Sequence, residues 1–150
     1  MYNPLQITKI SNTSKFSIVD FNKLLDEGKV WDSQQGKNFI ENDDNALFIA
    51  FWEEKAAGFL TAHRLQRFDK RKAEVLLYEI GVHQNNRRRG IGKALIEEVK
   101  KWAKEVGADK VWVLTEKDNE AAVAMYKSAG GIEEAPGTIM WGYKLNQKAD

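Results

Sequence analysis

The feature that most limits the architecture is a strand–loop–helix–strand run in the middle of the chain. Residues 74–82 are rich in apolar and aromatic side chains and have the length of a buried strand. A polar loop follows, Gln84-Asn85-Asn86-Arg87-Arg88-Arg89-Gly90. From Ile91 apolar residues recur at positions that include 91, 94, 95, 99, 102, 103 and 106, spacings that place them on one stripe of a helix. Glu97 and Lys101 stand four apart on the opposite face in the favourable order, and Gly107 supplies a C-terminal stop. Residues 110–114, Lys-Val-Trp-Val-Leu, read as the next strand. A crossover of this kind makes its two strands parallel, so the chain cannot be all-helical or all-antiparallel.

The flanking segments complete the pattern. Residues 7–10 form a short strand candidate, 16–25 a helix ending near Gly28, and Ser33 an N-cap for a second short helix to about Asn42. Residues 46–52 and 56–65 form a hairpin around Glu53-Glu54-Lys55, and Asp69-Lys70-Arg71 turns the chain into residues 74–82. After residue 114, Asp118 or Asn119 caps a helix that ends at Gly130-Gly131. Residues 138–145 alternate, with Ile139, Trp141, Tyr143 and Leu145 on one face, and read as a closing strand. The predicted order is β-α-α-β-β-β-α-β-α-β, an α/β fold with a mixed sheet. At 150 residues, with no repeat or Gly/Ser-rich linker, it forms one domain over residues 1–150.

Composition removes several kinds of chemistry. The absence of cysteine excludes disulfides, thiolate metal sites and a cysteine nucleophile. Two histidines, His63 and His83, make a histidine-rich centre improbable, and no metal is expected. A net charge of +1 gives no bulk field for nucleic acid or membrane, and no apolar run reaches the length of a membrane span. No secretory signal is seen, so the default compartment is the cytoplasm. The charge is nonetheless uneven. Residues 1–54 carry five basic and nine acidic side chains, whereas residues 83–107 carry seven and three. A basic middle suits an anionic cofactor, and an acidic first third suits a cationic substrate.

Two motifs carry chemistry. Arg87-Arg88-Arg89-Gly90-Ile91-Gly92-Lys93 sits between a buried strand and a helix. The first N–H groups of a helix lack intrahelical partners and lie at the positive end of its dipole. Gly90 and Gly92 let a pyrophosphate reach that backbone, and the arginines add charge at the rim. The spacing is neither a Walker A loop nor a dinucleotide-binding Gly-x-Gly-x-x-Gly. Downstream, Asn119, Ala122 and Tyr126 share one helix face. An amide there can bond a ligand's polar arm, a small residue allows close approach, and a tyrosine can donate a proton.

Together these segments resemble the GNAT superfamily of acyl-CoA-dependent N-acyltransferases. Its pyrophosphate motif, Arg/Gln-x-x-Gly-x-Gly/Ala, is matched by Arg87, Gly90 and Gly92. Its later motif, Asn-x-x-Ala-x-x-x-Tyr-x-x-x-Gly, is matched by Asn119, Ala122, Tyr126 and Gly130. The family often has Gly-Phe where this chain has Gly130-Gly131, a departure that bears on the packing of the last hairpin. The resemblance is motif-level over residues 74–131 and topological before that. It implies acetyl-CoA as co-substrate, held by Ile80, Gly81, Val82, Arg87, Arg88, Arg89, Gly90, Ile91, Gly92, Lys93, Asn119 and Ala122. It also implies a bulge in the strand ending at Gly81-Val82, direct acyl transfer to an amine, and a homodimer. Tyr126 is the candidate acid for the leaving thiolate. Glu79, a carboxylate interrupting an apolar strand, is the candidate base; the alternatives are a salt bridge from Glu79 to Arg64 or Arg67, and His83 as the base. The N-terminal helices wall the acceptor site in this family, which makes Trp31 and Asp32 candidate acceptor contacts.

Residues 65–96 further resemble the aminoglycoside 3-N-acetyltransferase branch, with an aspartate there at the place of Glu79 and an alanine at that of Gly81. The expected reaction is acetyl transfer to a primary amine of an aminoglycoside-like or polyamine-like small molecule. The alternatives are a protein or peptide N-acetyltransferase and a non-catalytic CoA-binding module. Nucleic-acid binding through the three arginines is poorly supported at this net charge.

Overall fold

The computed structural model describes residues 2–146. Its elements run β1 (Leu5–Lys9), α1 (Ile18–Asn22), α2 (Ser33–Glu41), β2 (Asn45–Trp52), β3 (Lys55–Leu65), β4 (Ala73–Val82), α3 (Ile91–Glu105), β5 (Ala108–Trp112) and α4 (Glu120–Ser128). The sheet order is β1-β2-β3-β4-β5. The first three pairings are antiparallel. β4 and β5, joined by the α3 crossover, are parallel as the sequence requires. The mixed α/β class therefore stands.

The sheet separates two apolar layers. On one side α3 buries Ile91, Leu95, Val99 and Trp102 against Phe48, Leu60, Val75 and Leu77. On the other side Phe21 of α1 and the partly buried Phe39 and Ile40 of α2 cover Leu47, Ile49 and Phe59. Each layer matches the period of its sequence, one stripe per helix and alternate residues per strand.

One irregularity in β4 positions the site. Thr61 pairs with Glu79, but Ala62 pairs with Leu77, so Tyr78 is an extra residue on β4. Such a bulge shifts the side-chain phase by one. Ala73, Val75 and Leu77 face the α3 layer before it, and Ile80 and Val82 face that layer after it. Glu79 and Gly81 consequently turn to the α1 side. The bulge thus lies at Tyr78, ahead of Glu79, within the strand that ends at Gly81-Val82. β4 pairs with β5 only through Leu76, beyond which the two strands part.

The closing strand is absent. Residues 138–145 adopt no strand, and every residue from 131 to 146 is exposed. α4 instead ends in a Schellman-type turn: Gly131 N–H donates to Tyr126 C=O at 2.9 Å, and Gly130 N–H to Lys127 C=O at 3.0 Å. Gly130 supplies the left-handed φ of 89°. A β-carbon on Gly131 would sit 2.8 Å from the Tyr126 carbonyl oxygen, so the turn excludes a side chain where the family often carries phenylalanine. Smaller differences lie at element ends. α1 is shorter than expected, β5 begins two residues earlier, and Asp32 rather than Ser33 caps α2.

Candidate active site

A cleft of about 280 Å³ opens where β4 and β5 part. β4 contributes Glu79, Ile80 and Gly81 to its wall, α4 contributes Tyr126, and the end of β5 contributes Val113 and Leu114. The segment after α1 adds Leu24, Leu25, Asp26 and Lys29. The predicted acid and base thus line one space. The 24–29 segment went unrecognised, because its composition distinguishes it from no other surface turn.

Glu79 is half-buried and has one side-chain partner among the described hydrogen bonds, the Thr61 hydroxyl, which donates to Oε1 at 3.3 Å. The proposed salt bridges are not made. Arg64 donates from Nε to Val106 C=O at 2.9 Å and lies 3.7 Å from Asp44. Arg67 pairs with Asp69 and Glu74, each at 2.9 Å. Gly81 is required for space, since a β-carbon there would meet the Phe59 ring at 2.8 Å.

The backbone of β4 offers donors beside the carboxylate. His83 N–H donates to Ala57 C=O at 2.8 Å, which sets the alternation along the strand. By that alternation Gly81 and Glu79 direct their N–H groups to β3, while Ile80 and Val82 direct theirs away from it, toward the side where β5 has parted. Across the cleft, burial raises the Tyr126 phenol above its ordinary value of 10.0, so it holds its proton at neutral pH.

The loop before α3 gathers arginines and free backbone donors at the helix start. Gly90 caps the helix at φ 76° with no side-chain bond, and nothing lies within 4 Å of where its β-carbon would be. Arg88 also adopts a left-handed φ of 65°. Ala94 N–H makes the first bond back to Gly90 C=O at 3.0 Å, which leaves the N–H groups of Ile91, Gly92 and Lys93 without intrahelical partners. Arg87, Arg88 and Arg89 form no ion pair among the described residues. The Arg89 guanidinium instead lies 4.5 Å from the Trp52 ring centroid.

Several predicted roles change. Gly92 does not keep an approach to the backbone open: its missing side chain faces α4, and a β-carbon would fall 2.2 Å from Met125 Sδ. Asn119 caps α4, its Oδ1 accepting from Ala122 N–H at 3.2 Å, while its amide NH₂ makes none of the described hydrogen bonds. Trp31 and Asp32 do not line the cleft. The Trp31 ring packs edge-on against Phe16 and Phe21, with centroids at 5.2 and 5.6 Å, and Asp32 caps α2 by accepting from Gln35 N–H at 2.8 Å. His83 caps the short turn at 84–86, accepting from Asn85 N–H at 3.2 Å, and lines a separate surface hollow beside Arg89.

Comparison with known proteins bears on the family and the fold. The sequence model of the Acetyltransferase (GNAT) family matches residues 14–130. An uncharacterized N-acetyltransferase of Methanocaldococcus jannaschii is 27% identical over 147 residues, covering 89% of this chain and 65% of its own length. Human N-acetyltransferase 8 is 29% identical over 94 residues, covering 63% and 41%. The chain thus spans less than two thirds of either relative. Among solved structures, an aminoglycoside acetyltransferase from an uncultured soil metagenomic sample, in complex with trehalose, superposes with a TM-score of 0.82 at 25% identity, covering 95% of this chain and 97% of that one. An aminoglycoside N-acetyltransferase in complex with CoA shares the fold with a TM-score of 0.79 at 23% identity, covering 94% and 95%.

Proposed function

Because the chain belongs to the GNAT family of acetyltransferases, we propose that it transfers the acetyl group of acetyl-CoA directly to a primary amine of a small cationic molecule. The observation that carries this reading is the cleft at the parting of β4 and β5, which a carboxylate, β4 backbone and a protonated phenol share. Glu79 takes the proton that an incoming ammonium must lose before its nitrogen can attack. The outward N–H groups of Ile80 and Val82 donate to the oxygen of the thioester carbonyl as negative charge develops there. The C–N bond forms, the C–S bond breaks, and Tyr126 gives its proton to the leaving sulfur. Net, the ammonium loses two protons: the one taken by Glu79 passes to solvent, and the one the nitrogen sheds as the amide forms restores the proton that Tyr126 gives to the sulfur. Holding both reactants in one cleft supplies proximity without an acyl-enzyme, in keeping with a chain that lacks cysteine.

The cofactor's pyrophosphate fits the start of α3. The N–H groups of Ile91, Gly92 and Lys93 and the side chains of Arg87 and Arg88 are the groups that would hold it, with Arg89 adding charge from its place over Trp52. The amide NH₂ of Asn119 and the small Ala122 flank the pantetheine arm. The acceptor reading rests on Asp26 and Glu79 in the cleft wall, on the acidic first third, and on similarity to an aminoglycoside acetyltransferase.

Thiol release from acetyl-CoA across aminoglycosides, polyamines, amino sugars, amino acids and peptides tests this. Turnover is expected on a cationic small amine, and the regiochemistry of the product identifies the amino group used. Glu79→Gln and Tyr126→Phe should each lower kcat by about 10²–10⁴-fold with acetyl-CoA affinity retained. Acetyl-CoA binding with no turnover on any amine would instead make the chain a CoA-binding module. Turnover confined to peptides would make it a protein N-acetyltransferase.

A further inference from the structure

The bulge in β4 also fixes where Tyr78 stands. In a regular strand neighbouring side chains point to opposite faces. Here Glu79 meets the Thr61 hydroxyl at 3.3 Å, and Tyr78 lies against His63 with ring centroids 5.5 Å apart. Thr61 and His63 are two apart on β3 and share a face, so Tyr78 and Glu79 lie on that face together. It is the face that α2 covers, for Phe39 also packs on His63 at 5.5 Å. His63 is held in turn. Asn45 donates from its amide NH₂ to Phe39 C=O at 3.3 Å, so its Oδ1 accepts from His63 Nδ1 at 2.8 Å. Tyr78 is thereby supported on one side yet remains 63% exposed, and it lines the same cleft as Glu79.

We infer that the Tyr78 ring is a docking face for a second ammonium of the acceptor, so that the cleft selects diamines over monoamines. The inference rests on the reading of this cleft as the acceptor site. One ammonium lies at Glu79, which takes its proton; the other, a few carbons away, lies over the ring. The electron-rich face of an aromatic ring attracts a cation, more strongly where water is excluded. The carboxylates of the cleft do not serve both ends. Glu79 is engaged with the reacting nitrogen, and the exposed Asp26 lies 3.5 Å from Lys29 and shares its charge with that lysine. The Cα atoms of Tyr78 and Glu79 are about 3.8 Å apart, as in any consecutive pair, so a short carbon chain or one ring spans the two side chains. Without the bulge the ring and the carboxylate would stand on opposite faces of the sheet, and no single acceptor could touch both.

The test compares 1,4-diaminobutane with 4-aminobutan-1-ol, which replaces one ammonium by a hydroxyl at the same length. Each is titrated into CoA-loaded protein and followed by nuclear magnetic resonance, and initial rates of acetyl transfer are measured in parallel. The parent is expected to bind the diamine more tightly. Tyr78→Leu should reduce that preference by about 2–30-fold, the span from exposed to desolvated cation–π contacts, and should raise the diamine's KM more than it lowers kcat. Tyr78→Phe keeps the ring and should keep the preference. Tyr78 is largely exposed, so both variants should melt within a few degrees of the parent. Equal binding of the two ligands by the parent, or no binding of the diamine, would overturn the inference. So would a preference that survives in Tyr78→Leu, or one lost equally in Tyr78→Phe, which would assign it to the hydroxyl. Binding reads the ring without turnover. A protein that selects the diamine through Tyr78 but acetylates no amine loses the transfer reading alone, and one that acetylates both amines alike loses the docking face alone.

Discussion

Replacing Gly92 by alanine separates two reasons a helix might begin with a small residue. A β-carbon at Gly92 would sit 2.2 Å from Met125 Sδ and 3.4 Å from its Cγ. Comfortable non-bonded contact begins at about 3.5 Å, so the two must part by more than an ångström. α3 is held in place by its buried Leu95 and Val99, which leaves the Met125 side chain as the part that moves. Overpacking of this kind costs about 1–3 kcal/mol, and the three rotatable bonds of methionine favour the lower half of that range. Alanine recovers up to about 1 kcal/mol as the better helix former. The net expectation is a loss of about 1 kcal/mol, or about 2–4 °C in Tm for a chain of this length. Thermal unfolding of Gly92→Ala, Met125→Ala and the double variant reads it out. In the double variant the space left by Met125 receives the new methyl, so its loss falls short of the sum of the singles by 0.5 kcal/mol or more on the scale of about 0.5–3 kcal/mol typical of touching residues. Acetyl-CoA affinity of Gly92→Ala, measured by calorimetry, stays near the parent's. An unchanged Tm with lost affinity, or strict additivity, would refute the packing role.

Two further outcomes follow from buried groups. Burial raises the Tyr126 phenol, so the folded chain holds that proton to higher pH than the unfolded chain. The associated stability is whole below the unfolded value of about 10 and is lost as pH rises through the folded one. Tyr126→Phe has no such proton, and its denaturation midpoint should decline less than the parent's above pH ~10; parallel declines would show that the phenol is not differentially protonated. Trp31→Ala removes the ring that packs on Phe16, Phe21 and Gly36. It should cost about 3 kcal/mol, at the low end for a large aromatic because the residue is half-buried. Weaker acceptor binding at full stability would return Trp31 to the acceptor site.

What the sequence made legible was whatever depended on its own period. The predicted α3 stripe is the buried face, with Ile91, Leu95, Val99, Trp102 and Ala103 all inside. The hairpin, the crossover and the mixed sheet follow from patterns contained within each segment. What was not legible depended on a distant neighbour. Gly92 must be small for whatever approaches it, and nothing local says whether that is a phosphate or Met125. Trp31 beside Asp32 reads equally well as a ligand contact or as packing until Phe16 and Phe21 close around it. The alternation at 138–145 fixes which side chains share a face but not what that face meets.

The bulge at Tyr78 is the deepest case, because it decides what Glu79 can do. Continuous alternation from Ala73, Val75 and Leu77 would carry Glu79 onto the same face, against α3. An unpaired carboxylate in that layer would cost several kcal/mol or abandon its charge. The extra residue turns the strand by one position. Glu79 then meets the Thr61 hydroxyl and the segment after α1 instead, while Ile80 and Val82 inherit the apolar side. The same stretch of β4 has already lost β5 as a partner after Leu76, so its outward N–H groups have no partner strand among the described residues. Aiming the carboxylate, freeing the backbone donors and opening the cleft are therefore consequences of a few residues between Leu76 and Glu79. That coupling explains why a strand that reads as uniformly buried in sequence becomes the wall of the site.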